Sequence, residues 1–123
     1  MGSTDQILIV DNSIAARDGT RKAISRIYPN ASVAEAKTAE EGRKAFREKR
    51  PDLGILDVNV PGCDGLELAE ELLEVNPNIR LMFCSASVHH PTVERATAIG
   101  IPVIRKPISS DVLRLALAEK QGP

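Results

Sequence analysis

Leu53-Gly54-Ile55-Leu56-Asp57-Val58-Asn59-Val60-Pro61-Gly62-Cys63-Asp64-Gly65-Leu66 reads as a strand, a turn and the start of a helix. Leu53 to Leu56 is a short apolar run stopped by an acid, the pattern of a strand buried on both faces. Pro61-Gly62 and Gly65 fit a tight turn. Asp64 offers a cap to a helix whose apolar stripe is Leu66, Ala69, Leu72 and Leu73, and Asn76-Pro77 should stop it.

The same grammar extends in both directions. Further strands are expected at Ile7-Leu8-Ile9-Val10, at Ser32-Val33-Ala34-Glu35-Ala36, at Arg80-Leu81-Met82-Phe83-Cys84 and at Pro102-Val103-Ile104-Arg105. The segment 32–36 is the weakest of them and looks like an edge strand. Helical patterns fill the gaps. Ala16, Ala23, Ile24 and Ile27 form one stripe ending before Pro29-Asn30. Thr38-Ala39-Glu40-Glu41 has capping-box form ahead of Ala45 and Phe46. Pro91 suits the first turn of a short helix over 91–99, with Gly100 at its exit. Ser109 can cap a last helix carrying Val112, Leu113, Ala116 and Leu117. Fivefold strand–helix alternation with no hairpin turn predicts an α/β fold, a parallel five-stranded sheet between helix layers; the expected arrangement is a flavodoxin-like (βα)5 three-layer sandwich, and its sheet order would be 2-1-3-4-5.

Composition agrees with one such domain. The chain has 123 residues, 42% apolar and 27% charged, with a net charge of -1. That balance gives no electrostatic case for direct nucleic-acid contact or an anionic membrane. Aromatics are only 2%, so no base-stacking platform can be built. No apolar run reaches the roughly 20 residues that a bilayer requires, and no secretory pattern opens the chain. Cys63 and Cys84 are too few for a disulfide framework and read as reduced thiols, which places the protein in the cytoplasm. Residues 1–6 read as an N-terminal tail, with Met1-Gly2-Ser3 a cloning remnant, and residues 7–120 as the domain; no effector domain is expected within these 123 residues.

Chemistry gathers where the strands stop. The first ends in Asp11-Asn12, the third in Asp57, the fourth in Ser85, and the fifth runs into Lys106-Pro107. In an open parallel sheet these ends share one edge, where ligands bind at the reversal of strand order. If the order is 2-1-3-4-5, the first and third strands are neighbours about 4.8 Å apart, and Asp11 and Asp57 face each other. Two carboxylates at about 4 Å repel by about 4 kcal/mol at an effective dielectric near 20, so a proton or a cation must enter. Hard oxygen ligands and an open site favour Mg²⁺, held by Asp11, Asp57, the Asn12 amide and the Asn59 carbonyl. Ser85 and Lys106 would flank Asp57 and suit a phosphoryl group carrying about two negative charges. This is a phosphoryl-transfer constellation.

The pieces Ile7 to Asn12, Leu56 to Gly65, Ser85-Ala86 and Arg105-Lys106-Pro107 resemble the receiver domain of two-component response regulators. The resemblance implies that Asp57 accepts a phosphoryl group from a histidine kinase or histidine phosphotransfer protein. It implies that Asp11 helps hold Mg²⁺, that Ser85 bonds a phosphoryl oxygen, that Lys106 pairs with the phosphate, and that a cis peptide precedes Pro107. The outcome would be a signalling switch with self-catalysed phosphoryl transfer and autodephosphorylation, not turnover of a metabolite. A downstream effector domain or protein, or a second copy in a homodimer, would read the face formed by the helix over 91–99, the strand over 102–105 and the last helix.

Two positions depart from the family pattern. Asn12 stands where a second acid is usual, which removes one negative charge from the metal site. Val103 stands where an aromatic residue often turns inward on activation, so coupling to Ser85 needs another readout. Asn12 keeps a second function open: a degenerate receiver acting as an interaction module independent of phosphorylation. A third is enzymatic, since Asp57-Val58-Asn59-Val60 loosely resembles the nucleophile loop of haloacid-dehalogenase-type phosphatases, with Asn59 replacing the expected acid/base. His89-His90 reads as an exposed loop, Cys84 as core, and Arg43, Lys44, Arg47, Lys49 and Arg50 as a solvated helix face.

Overall fold

The computed structural model describes residues 5–87 and 91–118; His89 and His90 lie outside them. Five strands alternate with five helices: β1 (Gln6–Val10), α1 (Ile14–Ile27), β2 (Ser32–Ala36), α2 (Ala39–Lys49), β3 (Leu53–Asp57), α3 (Gly65–Val75), β4 (Arg80–Ser85), α4 (Pro91–Ala98), β5 (Val103–Arg105) and α5 (Ser110–Ala118). All pairs are parallel and the order is β2-β1-β3-β4-β5. The expected fold is present, with β2 at the edge.

Helix starts follow side-chain chemistry. Ser13, Thr38 and Asp64 each accept a backbone N–H from the first turn of the helix that follows, at 3.1, 3.1 and 2.8 Å, satisfying donors that the helix itself leaves unpaired. Gly100 leaves α4 with φ +82°, a conformation costly for residues with a Cβ.

The sheet divides the core by strand alternation. Leu8, Val10, Leu56, Leu81 and Phe83 face α2, α3 and α4. Ile7, Ile9, Leu53, Ile55, Met82, Cys84 and Ile104 face α1 and α5. Ile55 and Leu56 are fully buried, and truncating either to Ala should cost about 2–5 kcal/mol.

Three expectations change. Pro102 precedes β5 instead of opening it, whereas β3 and β4 end on Asp57 and Ser85 as expected. Val112 is 43% exposed instead of buried; Leu113 and Ala116, three apart, turn inward and carry Val112 towards solvent. Arg43 is not merely solvated. It leaves α2 to pair with Glu71 of α3 at 2.8 Å and reaches Cys63 Sγ at 3.6 Å.

Candidate phosphoryl and cation site

Alternation builds the site. Two residues beyond Ile9, Ile55, Met82 and Ile104 stand Asp11, Asp57, Cys84 and Lys106, so all four continue the face covered by α1 and α5. Register completes the convergence, since Val10 pairs with Leu56 and Asp57 with Cys84. Asp11 and Asp57 are 1% and 8% exposed.

Two buried carboxylates cannot stay together uncompensated. Here the Lys106 ammonium lies between them, 2.7 Å from Asp11 Oδ2 and 2.9 Å from Asp57 Oδ2. Burial works to lower the Lys106 pKa, but the hydrogen bonds to Asp11 and Asp57 outweigh it and the net shift is upward. The remaining carboxylate oxygens are also engaged. Asp11 Oδ1 accepts the Ser13 N–H at 2.9 Å, and Asp57 Oδ1 accepts the Asn59 N–H at 3.0 Å.

A divalent cation is the other way to neutralise such a pair. The donors fit one: two carboxylates, with Asn12 and Asn59 exposed beside them. Among the described residues no group of three His, Cys, Asp or Glu side chains is placed to hold a metal. A cation here would therefore keep several waters, which suits Mg²⁺.

Ser85 reaches the same edge, but its hydroxyl is turned into its own loop. It donates to the Ser87 carbonyl at 2.6 Å and accepts the Ser87 N–H at 3.1 Å. The Lys106–Pro107 peptide is cis. The loop after Asp57 is tightly seated: Val58 N–H donates to the Cys84 carbonyl and Gly65 N–H to the Val58 carbonyl. A Cβ on Gly65 would meet the Asp57 carbonyl oxygen at 2.7 Å.

The pattern of the response regulator receiver domain matches residues 7–118. This chain belongs to the response regulator receiver domain family. The receiver is 32% identical over 113 residues to the chemotaxis protein CheY of Listeria monocytogenes, covering 91% of this chain and 94% of CheY. It is 30% identical over 95 residues to the response regulator GacA of Pseudomonas viridiflava, covering 77% of this chain. The chain spans only 44% of GacA's length. Among solved structures, the receiver domain of AraT, a response regulator from Geobacillus stearothermophilus, superposes with a TM-score of 0.80 at 28% identity. That match covers 94% of this chain and 92% of the AraT domain. Receiver domains are two-component signalling switches, and as a family they accept a phosphoryl group and bind Mg²⁺ beside it. The family displaces the loose phosphatase likeness of residues 57–60.

Two features of the receiver site went unread in the sequence. Cys84 is not only core: its thiol lies 3.9 Å from Asp11 Oδ2, and burial pushes its pKa far up. Its place two residues after Met82 was the available signal. Arg17 of α1 donates to the Asp11 carbonyl and pairs with Glu35 at 3.1 Å; no local pattern links these positions. Among the described residues no helix is long and apolar enough to cross a membrane.

Proposed function

We propose that this receiver takes a phosphoryl group onto Asp57 from a phosphohistidine of a histidine kinase or histidine phosphotransfer protein, and then alters its affinity for an effector. The observation that carries this reading is the single ammonium shared by Asp11 and Asp57 at 2.7 and 2.9 Å. It marks a site whose two acids need cationic charge and whose cation can follow a new anion.

In the transfer, a carboxylate oxygen of Asp57 attacks phosphorus. The phosphorus–nitrogen bond breaks, its electron pair returns to the imidazole, and a phosphorus–oxygen bond to Asp57 forms. Asp11, Asp57, Asn12 and the Asn59 carbonyl would hold Mg²⁺, which supplies positive charge to the phosphoryl oxygens when bound. Lys106 keeps an ammonium within reach of the acyl phosphate, and Ser85 would rotate away from Ser87 to donate to a phosphoryl oxygen. Reversal is hydrolytic. Water attacks phosphorus in line, and cleavage of the bond to Asp57 returns the carboxylate and inorganic phosphate.

The output face is α4, β5 and α5. A groove of about 380 Å³ there is lined by Thr97, Gly100, Val103, Val112 and Leu115, and Leu115 is 72% exposed. An effector or a second copy of the chain would cover it. Incubation with a small phosphodonor and Mg²⁺, followed by intact mass, tests the reading. One phosphoryl mass that disappears in Asp57→Asn supports it. No Asp57-dependent gain overturns it and favours the interaction module, the reading that Asn12 motivates.

A further inference from the structure

The family's aromatic signalling position is Val103 here, yet α4 is tied to the Asp57 loop by another route. Asp64 ends that loop and caps α3. Its Oδ1 accepts the Leu66 N–H at 2.8 Å and the Thr92 hydroxyl at 3.3 Å, and its Oδ2 accepts Arg95 Nη1 at 3.0 Å. Thr92 and Arg95 are both on α4, with Thr92 2% exposed. One carboxylate therefore joins the first turn of α3 to the first turns of α4.

Upstream, the connection is short and stiff. Gly65 follows Asp64 and lies so close to β3 that a Cβ would meet Asp57 O at 2.7 Å and Val58 Cα at 2.9 Å. Its N–H donates to the Val58 carbonyl at 3.3 Å. Nearer the site, the Asn59 N–H holds Asp57 Oδ1 at 3.0 Å. A change at that oxygen therefore acts on a loop with little slack before Asp64.

We propose that Asp64, Thr92 and Arg95 form a relay that carries a change at Asp57 to α4, in place of an aromatic rotamer switch at β5. Asp64 is a positioning residue: it touches neither phosphoryl group nor cation. The relay rests on the reading of Asp57 as phosphoacceptor. A phosphoryl group bonded to an Asp57 oxygen competes with the Asn59 N–H, shifts the loop, and changes the hydrogen bonds that Asp64 offers to α4. The two arrangements differ in contacts, which is what a population shift requires.

Amide hydrogen exchange of the full chain tests this, read by segment alongside intact mass, before and after treatment with a small phosphodonor and Mg²⁺. In the unmodified protein, Arg95→Ala should speed exchange in α4 by about two- to fivefold, the size expected of one exposed ion pair, and leave α5 unchanged. After treatment, wild type should change its α4 exchange. Arg95→Ala and Thr92→Val should gain the same phosphoryl mass while the α4 change is lost. A full α4 change in both variants overturns the relay, as does unaltered α4 exchange in unmodified Arg95→Ala. Absence of phosphoryl mass in wild type removes the phosphoacceptor reading and the relay with it; the unmodified arm still decides whether Arg95 restrains α4.

Discussion

The Lys106 ammonium sits 2.7 Å from Asp11 Oδ2, reaching across the ends of β4 and β3. A residue at the end of β5 thus neutralises an acid at the end of β1. That contact couples the site's charge balance to the stability of the fold.

Replacing Lys106 with Met leaves two nearly buried carboxylates without their cation. Stability should fall by about 1–3 kcal/mol, less than for a fully buried pair because the lysine retains some solvent contact. Urea unfolding without divalent cations measures this, and added Mg²⁺ should recover most of the loss in the variant. A midpoint unchanged by the substitution would show that the ion triad contributes nothing.

Asn12→Asp should tighten Mg²⁺ binding by about tenfold or more, because a further negative charge near the cation is worth at least about 1.4 kcal/mol at short range. Calorimetric titration of both proteins checks it. Equal affinities would mean that position 12 does not face the cation.

Gly65→Ala should destabilise by roughly 1–3 kcal/mol, since the new methyl meets backbone atoms that have no rotamer by which to yield. Thermal unfolding reads the loss. The phosphoryl gain at Asp57 should also slow, because α3 must move off the strand end.

Burial works to raise the Asp64 pKa, but the Leu66 N–H and Arg95 overcome it and hold the carboxyl below its usual 3.8. A depressed folded pKa stabilises above the unfolded value and is lost as pH falls through the folded one. The contribution should therefore be complete at neutral pH and disappear below 3.8. Asp64→Asn retains a capping acceptor and should remove this component from the acid-unfolding curve.

Burial raises the pKa of both thiols, most strongly for Cys84. Alkylation at neutral pH should modify Cys63 slowly, with Arg43 beside it, and spare Cys84 until the protein unfolds. Peptide mass mapping against denaturant resolves the two. Early labelling of Cys84 would mean that the site opens locally.

Much of this was legible residue by residue. The run 53–56 with its closing acid, the caps at Thr38 and Asp64, and Gly100 after α4 are local signals, each set by atoms within a few positions in the chain. Placing Asp11, Asn12, Asp57, Ser85, Asn59 and Lys106 on one edge needed only the parallel topology that those signals imply. The hidden parts are long-range. Arg43 meets Glu71, Arg17 meets Glu35, and Arg95 meets Asp64, and charge alone does not choose among many partners on neighbouring helices.

The sequence by itself determined the alternation of strands and helices, the strand-end acids, the lysine and the helix caps, because short-range sterics and hydrophobic period act within each segment. Only the tertiary structure decided that Lys106 bridges both acids, that Cys84 lines their pocket, that Ser85 bonds to Ser87, and that Asp64 holds α4. Those outcomes depend on register and helix placement, which bring together side chains that are far apart along the chain, and on the cost of burying charge, which selects the partner that compensates it.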